Sequence, residues 1–109
     1  MIIVGGTITV RSDKLDTLRA ILPAHRERTM KDDGCVLFSL GIADEESGEV
    51  TVLEIWRDEA ALAHHHEQPY TSGFLDALGD GLLSMDLMLY DVAGTRPLPK
   101  LDTLAHIPS

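Results

Sequence analysis

Glu49-Val50-Thr51-Val52-Leu53-Glu54-Ile55-Trp56-Arg57-Asp58-Glu59-Ala60-Ala61-Leu62-Ala63-His64-His65-His66 changes character in its middle. Up to Trp56 the stretch is β-branched and apolar, the make-up of a pleated, part-buried strand. From Asp58 onward Ala and Leu take over. Asp58 is a natural helix N-cap, and Glu59 falls in the first turn, where an acid complements the helix dipole. A strand therefore leads directly into a helix.

Outward from this stretch, Cys35 to Ala43 reads as a second strand. Asp44-Glu45-Glu46-Ser47-Gly48, a polar connection ending in Gly, makes the two a hairpin with a solvated acidic tip. From Lys14 to about Met30 the period is helical: Leu15, Leu18, Leu22 and His25 form one stripe with Ile21 beside it. Ser12 or Asp13 is the expected N-cap, Pro23 predicts a kink or an interruption, and Asp32-Asp33-Gly34 is a turn that stops the helix. Ile2 to Val10 is the first strand, in which Gly5-Gly6 marks a close backbone approach or a bulge. Downstream, Gln68-Pro69-Tyr70 interrupts the helix. A short second helix carries Phe74, Leu75 and Leu78, Gly79-Asp80-Gly81 ends it, and Leu82 to Val92 is the last strand. The order β-α-β-β-α-(α)-β is the split βαβ of the ferredoxin-like α+β plan. One domain is expected over residues 1–93, with a tail over 94–109. Leu98, Leu101 and Leu104 recur along that tail, as a strap on the body or on a partner, or as a frayed end.

Composition narrows the function classes. Nine Lys and Arg against eighteen Asp and Glu leave a net charge of −9. That balance argues against nucleic acid and against an anionic membrane surface, both of which are bound through Lys and Arg. A single cysteine, Cys35, excludes an intrachain disulfide and a cysteine-based zinc cluster, and its place at the start of a strand reads as a small core or edge residue. No apolar run has the length of a membrane span, and no basic segment precedes Ile2-Ile3-Val4, so a cytoplasmic protein is expected. Glycine-rich phosphate loops and a Gly-x-Ser-x-Gly elbow are absent.

The strand alternation predicts an assembly. Val50, Val52, Glu54 and Trp56 share one face, and Thr51, Leu53 and Ile55 the other; Met88, Tyr90 and Val92 likewise oppose Met85, Leu87 and Leu89. Both faces are largely apolar, whereas a sheet with one wet face alternates between apolar and polar. Helices cover one face, so a homodimer with sheets packed face to face is expected.

Three positions stand out chemically. Consecutive helical residues point about 100° apart, so His64-His65-His66 does not make a metal pair, which wants i, i+3 or i, i+4 spacing. Counted from the inward Leu62, His65 or His66 faces the core and His64 looks outward. Glu54 lies on an apolar face, where a carboxylate needs a partner, an edge or a pocket. His25 ends the apolar stripe of the first helix. If both helices cover one sheet face, His25, Glu54, Trp56 and His65 line one cavity with mostly apolar walls, the usual small-molecule site.

The segment from Glu54-Ile55-Trp56 through Asp58-Glu59-Ala60-Ala61-Leu62 to His65 resembles the signature of the antibiotic-biosynthesis-monooxygenase-like family of dimeric α/β barrels. Asp33-Gly34-Cys35 is similar to that family's Glu-Pro-Gly-Cys turn. The resemblance spans about residues 1 to 93 and implies a ferredoxin-like homodimer whose sheets form a shared barrel. It also implies oxygenase chemistry on hydroquinones, anthrones or related phenols with O2, with no metal and no cofactor. Under it His65 is the base or anion partner, Trp56 a wall that stacks on the ring, and Glu54 the residue that orients His65 or pairs a polar group. His25, Tyr70 and Phe74 belong to the substrate site. Pro69 is followed by Tyr70 where the family often has His, and Ile2 to Val10 lacks the Asn of the haem-degrading branch. Two other readings use the same pocket: a non-catalytic small-molecule-binding dimer, and an O2-independent isomerase or dehydratase.

Overall fold

A computed structural model describes residues 1–100. Strands β1 (Ile2–Val10), β2 (Cys35–Asp44), β3 (Glu49–Trp56) and β4 (Leu82–Asp91) form one antiparallel sheet in the order β2-β3-β1-β4. Helix α1 (Leu15–Met30) connects β1 to β2, and α2 (Glu59–His66) with α3 (Pro69–Leu78) connects β3 to β4. This is the ferredoxin-like α+β fold. Leu101 and Leu104 of the tail lie outside the described residues.

All helices lie on one face of the sheet. Ile8, Val10, Val50 and Val52 meet Leu15, Leu18, Phe74 and Leu78 in the larger core cluster, and Ile2 and Trp56 meet Ala61 and Leu62 in a smaller one. The β3 alternation holds: Val50, Val52 and Trp56 are buried beneath the helices, whereas Thr51 and Leu53 on the other face are exposed. On that open face Leu53, Met88 and Tyr90 stand 39%, 63% and 54% exposed. Gly6 is where β1 and β4 approach closely. Its φ is +145°, and a Cβ there would collide with the carbonyl of Asp86. The register irregularity falls instead between Thr9 and Val10.

Three local expectations are corrected. Helix α1 runs unbroken through Pro23, because Pro23 and Arg19, whose carbonyl it leaves without an intrahelical donor, are both exposed to water. Neither Ser12 nor Asp13 caps α1. They form a 3-10 turn ahead of it, and the Asp13 carboxylate accepts a 2.6 Å bond from Arg11 instead. Pro69 and Tyr70 do not merely interrupt; they open α3, since proline at the first helical position forfeits an N–H that has no partner there anyway.

Candidate active site

Between the sheet and helices α2 and α3 lies a cavity of about 330 Å3. Its floor is Val4, Phe38, Leu40 and Val52, its roof Leu62, Phe74 and Leu78, and its polar members are His25, Glu54, His65, His66 and Thr71. Met85, Leu87 and Leu89 of β4 form one side. In register, Met85 pairs with Ile8 and Leu89 with Val4, so these side chains share the helix-covered face. They are nevertheless 56% and 41% exposed. The helices stop short of β4, and the cavity opens there.

The site residues come from α1, β3, α2 and α3. Asp58 caps α2 as expected, accepting the Ala61 N–H at 2.8 Å, and this sets the helix phase that buries His65 beside Leu62. His64 points out, and His66 is exposed at the cavity rim. On β3, Glu54 Oε1 accepts the Trp56 Nε1–H at 3.0 Å, so the indole is the partner that makes this carboxylate tolerable on an apolar face. Trp56 itself is completely buried and is not among the cavity-lining residues; its ring lies 4.9 Å from that of His65. His25 stacks on Phe74 with ring centres 3.9 Å apart and meets Phe38 edge-on at 5.2 Å. His25 and His65 are 6.0 Å apart, centre to centre. Tyr70 lies outside this cavity. It lines a shallower groove between α1 and α3, with the Arg28 guanidinium 4.8 Å above its ring.

Sequence reasoning passed over Asp32, treating it as part of a turn. Its side chain is only 5% exposed and accepts from the Tyr70 hydroxyl, lies 3.2 Å from His65 Nδ1 and takes a 3.3 Å bond from Arg28. The Tyr70 hydroxyl in turn sits 2.8 Å from His65 Nδ1, and Thr71 Oγ1 donates to the His65 carbonyl at 2.7 Å. The sequence carries no signal for Asp32: the pairing of Cys35 with Trp56, which brings the turn before β2 up to the start of α2, emerges only in the structure. Nothing in the sequence distinguishes Asp32 from Asp33, which is exposed and bound to Arg57.

Burial works to raise the Asp32 carboxyl, but hydrogen bonds from Tyr70 and His65, with the charges of His65 and Arg28, outweigh it and hold Asp32 below the usual carboxylate range. For His65, burial dominates and lowers the imidazole below its ordinary value, against Asp32 and Glu54, which raise it. His25 is pulled down to about 4, first by burial and then by the charge of His65. Burial and the bond to Asp32 push Tyr70 up to about 12. Burial, then the charges of Glu54 and Asp32, raise the Cys35 thiol, which fits a structural cysteine rather than a nucleophile. At neutral pH the site thus holds two neutral imidazoles, a protonated phenol and an ionised Asp32. Among the described residues no group of three His, Cys, Asp or Glu side chains is arranged to hold a metal ion, and no helix is long and apolar enough to cross a membrane.

The profile of the family described as antibiotic biosynthesis monooxygenase matches residues 1–77, which take in His25, Asp32, Glu54, Trp56, His65, Tyr70 and Phe74 but not the β4 side of the cavity. An uncharacterised protein of Synechocystis is 30% identical over 98 residues, covering 89% of this chain and 67% of its own length. A candidate antibiotic biosynthesis monooxygenase of Deinococcus radiodurans superposes with a TM-score of 0.78 at 22% identity, over 92% of this chain and all of that one (100%), a likeness that speaks for the fold. A protein of Mycobacterium tuberculosis gives 0.68 at 25% identity, covering 88% and 96% of the two chains.

Proposed function

Because the chain belongs to the antibiotic biosynthesis monooxygenase family, we propose that it is a cofactor-independent oxygenase. Its substrate is an electron-rich hydroquinone or anthrone, oxidised by O2 through the substrate anion. The observation that carries this reading is a buried imidazole, His65, in the wall of a largely apolar cavity. Triplet O2 does not react directly with a singlet phenol. Proton transfer from the substrate to His65 produces an anion electron-rich enough to pass one electron to O2. The substrate radical and superoxide then combine in the cage, and the new C–O bond leaves a peroxide. Loss of water from that peroxide cleaves the O–O bond and leaves a carbonyl. For an anthrone the balance is substrate plus O2 to quinone plus water, with no external reductant.

The chain's residues divide the work. His65 takes the proton, as a base whose conjugate acid titrates below its ordinary value. Glu54 spends one oxygen on Trp56 and keeps the other for a substrate hydroxyl, which makes Trp56 the residue that positions Glu54. His25, Phe38 and Phe74 form the aromatic wall against which a planar ring lies. The same reading includes a homodimer, in which the open sheet faces of two copies cover Leu53, Met88 and Tyr90.

The test is O2 uptake by metal-stripped protein with 1,4-naphthohydroquinone and with anthrone, corrected for autoxidation, beside His65→Ala. The expected result is uptake above the blank that falls about 100-fold in the variant, the scale of a lost general base. Turnover without O2 uptake would replace the oxygenase with an isomerase or dehydratase. Saturable thermal stabilisation with no product would replace it with a binding module.

A further inference from the structure

We propose that Asp32, assisted by Tyr70, is a positioning residue that fixes His65 as its Nδ1–H tautomer and leaves Nε2 as the lone-pair nitrogen available to the cavity. The inference rests on the reading of His65 as the base.

The argument is a count of protons. Three polar groups meet at one point: Asp32 Oδ2, Tyr70 Oη and His65 Nδ1, with Nδ1 at 3.2 Å from the carboxylate and 2.8 Å from the phenol oxygen. An ionised carboxylate only accepts, and a phenol has one proton to give. The Tyr70 hydroxyl donates that proton to Asp32 Oδ2, because an ionised carboxylate is the stronger acceptor of the two. Nδ1 then faces two acceptors, the carboxylate and the phenol oxygen. A bare Nδ1 lone pair would point at both and repel them in a site closed to water, so Nδ1 must carry the proton. Thr71 does not alter the count, because its hydroxyl proton is committed to the His65 carbonyl.

The reverse arrangement gives Tyr70's proton to Nδ1. It leaves Asp32 facing Tyr70 Oη and His65 Nδ1 with no proton from either, and it requires a protonated Asp32 to relieve the clash. The Arg28 guanidinium, which donates to the second carboxylate oxygen, Oδ1, favours the ionised Asp32 and runs against that. Neither Asp32 nor Tyr70 is among the residues lining the inner cavity, whereas His65 is. The ring thus turns Nδ1 toward the support and Nε2 away from it. When Nε2 takes the substrate proton, the resulting imidazolium keeps its Nδ1–H on Asp32, so the new positive charge forms beside a fixed negative one. The other titratable groups facing the ring are His25 from α1, Glu54 from β3 and His66 from α2.

The experiment is nitrogen-15 NMR of the full chain with labelled histidine, without substrate, followed by the oxygen assay on the same samples. Wild-type His65 is expected in the Nδ1–H form at pH 8, the opposite of the Nε2–H form that free histidine prefers. Asp32→Asn is expected to admit the Nε2–H form, to lower the His65 titration midpoint by removing the charge that holds it up, and to cut kcat about 100-fold with KM little changed. Tyr70→Phe keeps the bond from Nδ1 to Asp32 and is expected to retain the Nδ1–H form. Wild-type His65 in the Nε2–H form overturns the proposal even if Asp32→Asn does not fold. So does an Asp32→Asn protein with unchanged tautomer and midpoint. The two readings fail separately. Nδ1–H spectra without quinol or anthrone turnover leave Asp32 its role and remove the oxygenase. Turnover that needs His65 but not Asp32 does the reverse.

Discussion

His25 is the residue whose ionisation most directly opposes the fold. Its imidazole is buried against Phe74 and Phe38, and its midpoint falls from the ordinary 6.5 to about 4. The folded state therefore resists a proton that the unfolded chain accepts. This contribution to stability is complete above pH 6.5 and drains away as the pH falls toward 4, by about 3 kcal/mol in all. Urea midpoints at pH 7.5 and 4.5 should therefore separate more in wild type than in His25→Phe, which keeps the ring stack and has nothing to protonate. Equal separations would mean that His25 is not the group responsible. At this scale His65 was legible within one position, because i+3 from a buried Leu62 is a strong constraint on a helix. Asp32 was not, because no period governs a turn and two adjacent aspartates there look alike. Trp56 was placed on the right face, but its burial beneath α2 depends on packing that alternation alone does not specify.

Helix α2 has eight residues, too few to persist alone, so its cap and its seat decide its position. Part of that seat is Gly34, the last residue of the turn that carries Asp32. Its φ is +86°, and a Cβ there would stand 2.5 Å from the Cβ of Ala61. Gly34→Ala should lower Tm by about 5 to 10 °C, through left-handed strain and the push on α2. Gly73→Ala makes the opposite case. It lies within α3 with open space around its Cβ, and it should stabilise the protein by about 0.5–1 kcal/mol. Differential scanning calorimetry of the two variants checks both signs. Strand and helix order were readable because the hydrophobic period changes cleanly at Trp56 and at Gly34. Pro23 misled because the cost of proline depends on whether its missing N–H and the freed carbonyl have other partners, and sequence does not show that, whereas Pro69 does mark the break between α2 and α3.

The molecule as a whole has one covered and one open sheet face. Alternation in β3 and β4 forecast that arrangement because β side chains switch faces at every step, and runs that are largely apolar on both faces cannot be hidden by one layer of helices. If two copies share the open face, sedimentation should give twice 11.9 kDa at micromolar concentration, and Leu53→Asp should return the protein to 11.9 kDa. A wild-type monomer would remove the dimer from the proposed function. What sequence did not convey at this scale is the gap over β4. It arises from how far α2 and α3 reach across the sheet, a matter of helix length and crossing rather than of any residue pattern.

The delivery of His25, Asp32, Glu54, His65 and Tyr70 by five different segments has a kinetic meaning. The contacts that build the support of His65 join residues 33 and 38 positions apart in the chain. Closing loops of that size is a late and slow event compared with forming a hairpin or a helix. A partly folded chain with its β2–β3 hairpin and α1 in place would still lack an oriented imidazole. Under the proposed oxygenase reading, formation of the reactive anion then waits for the complete topology.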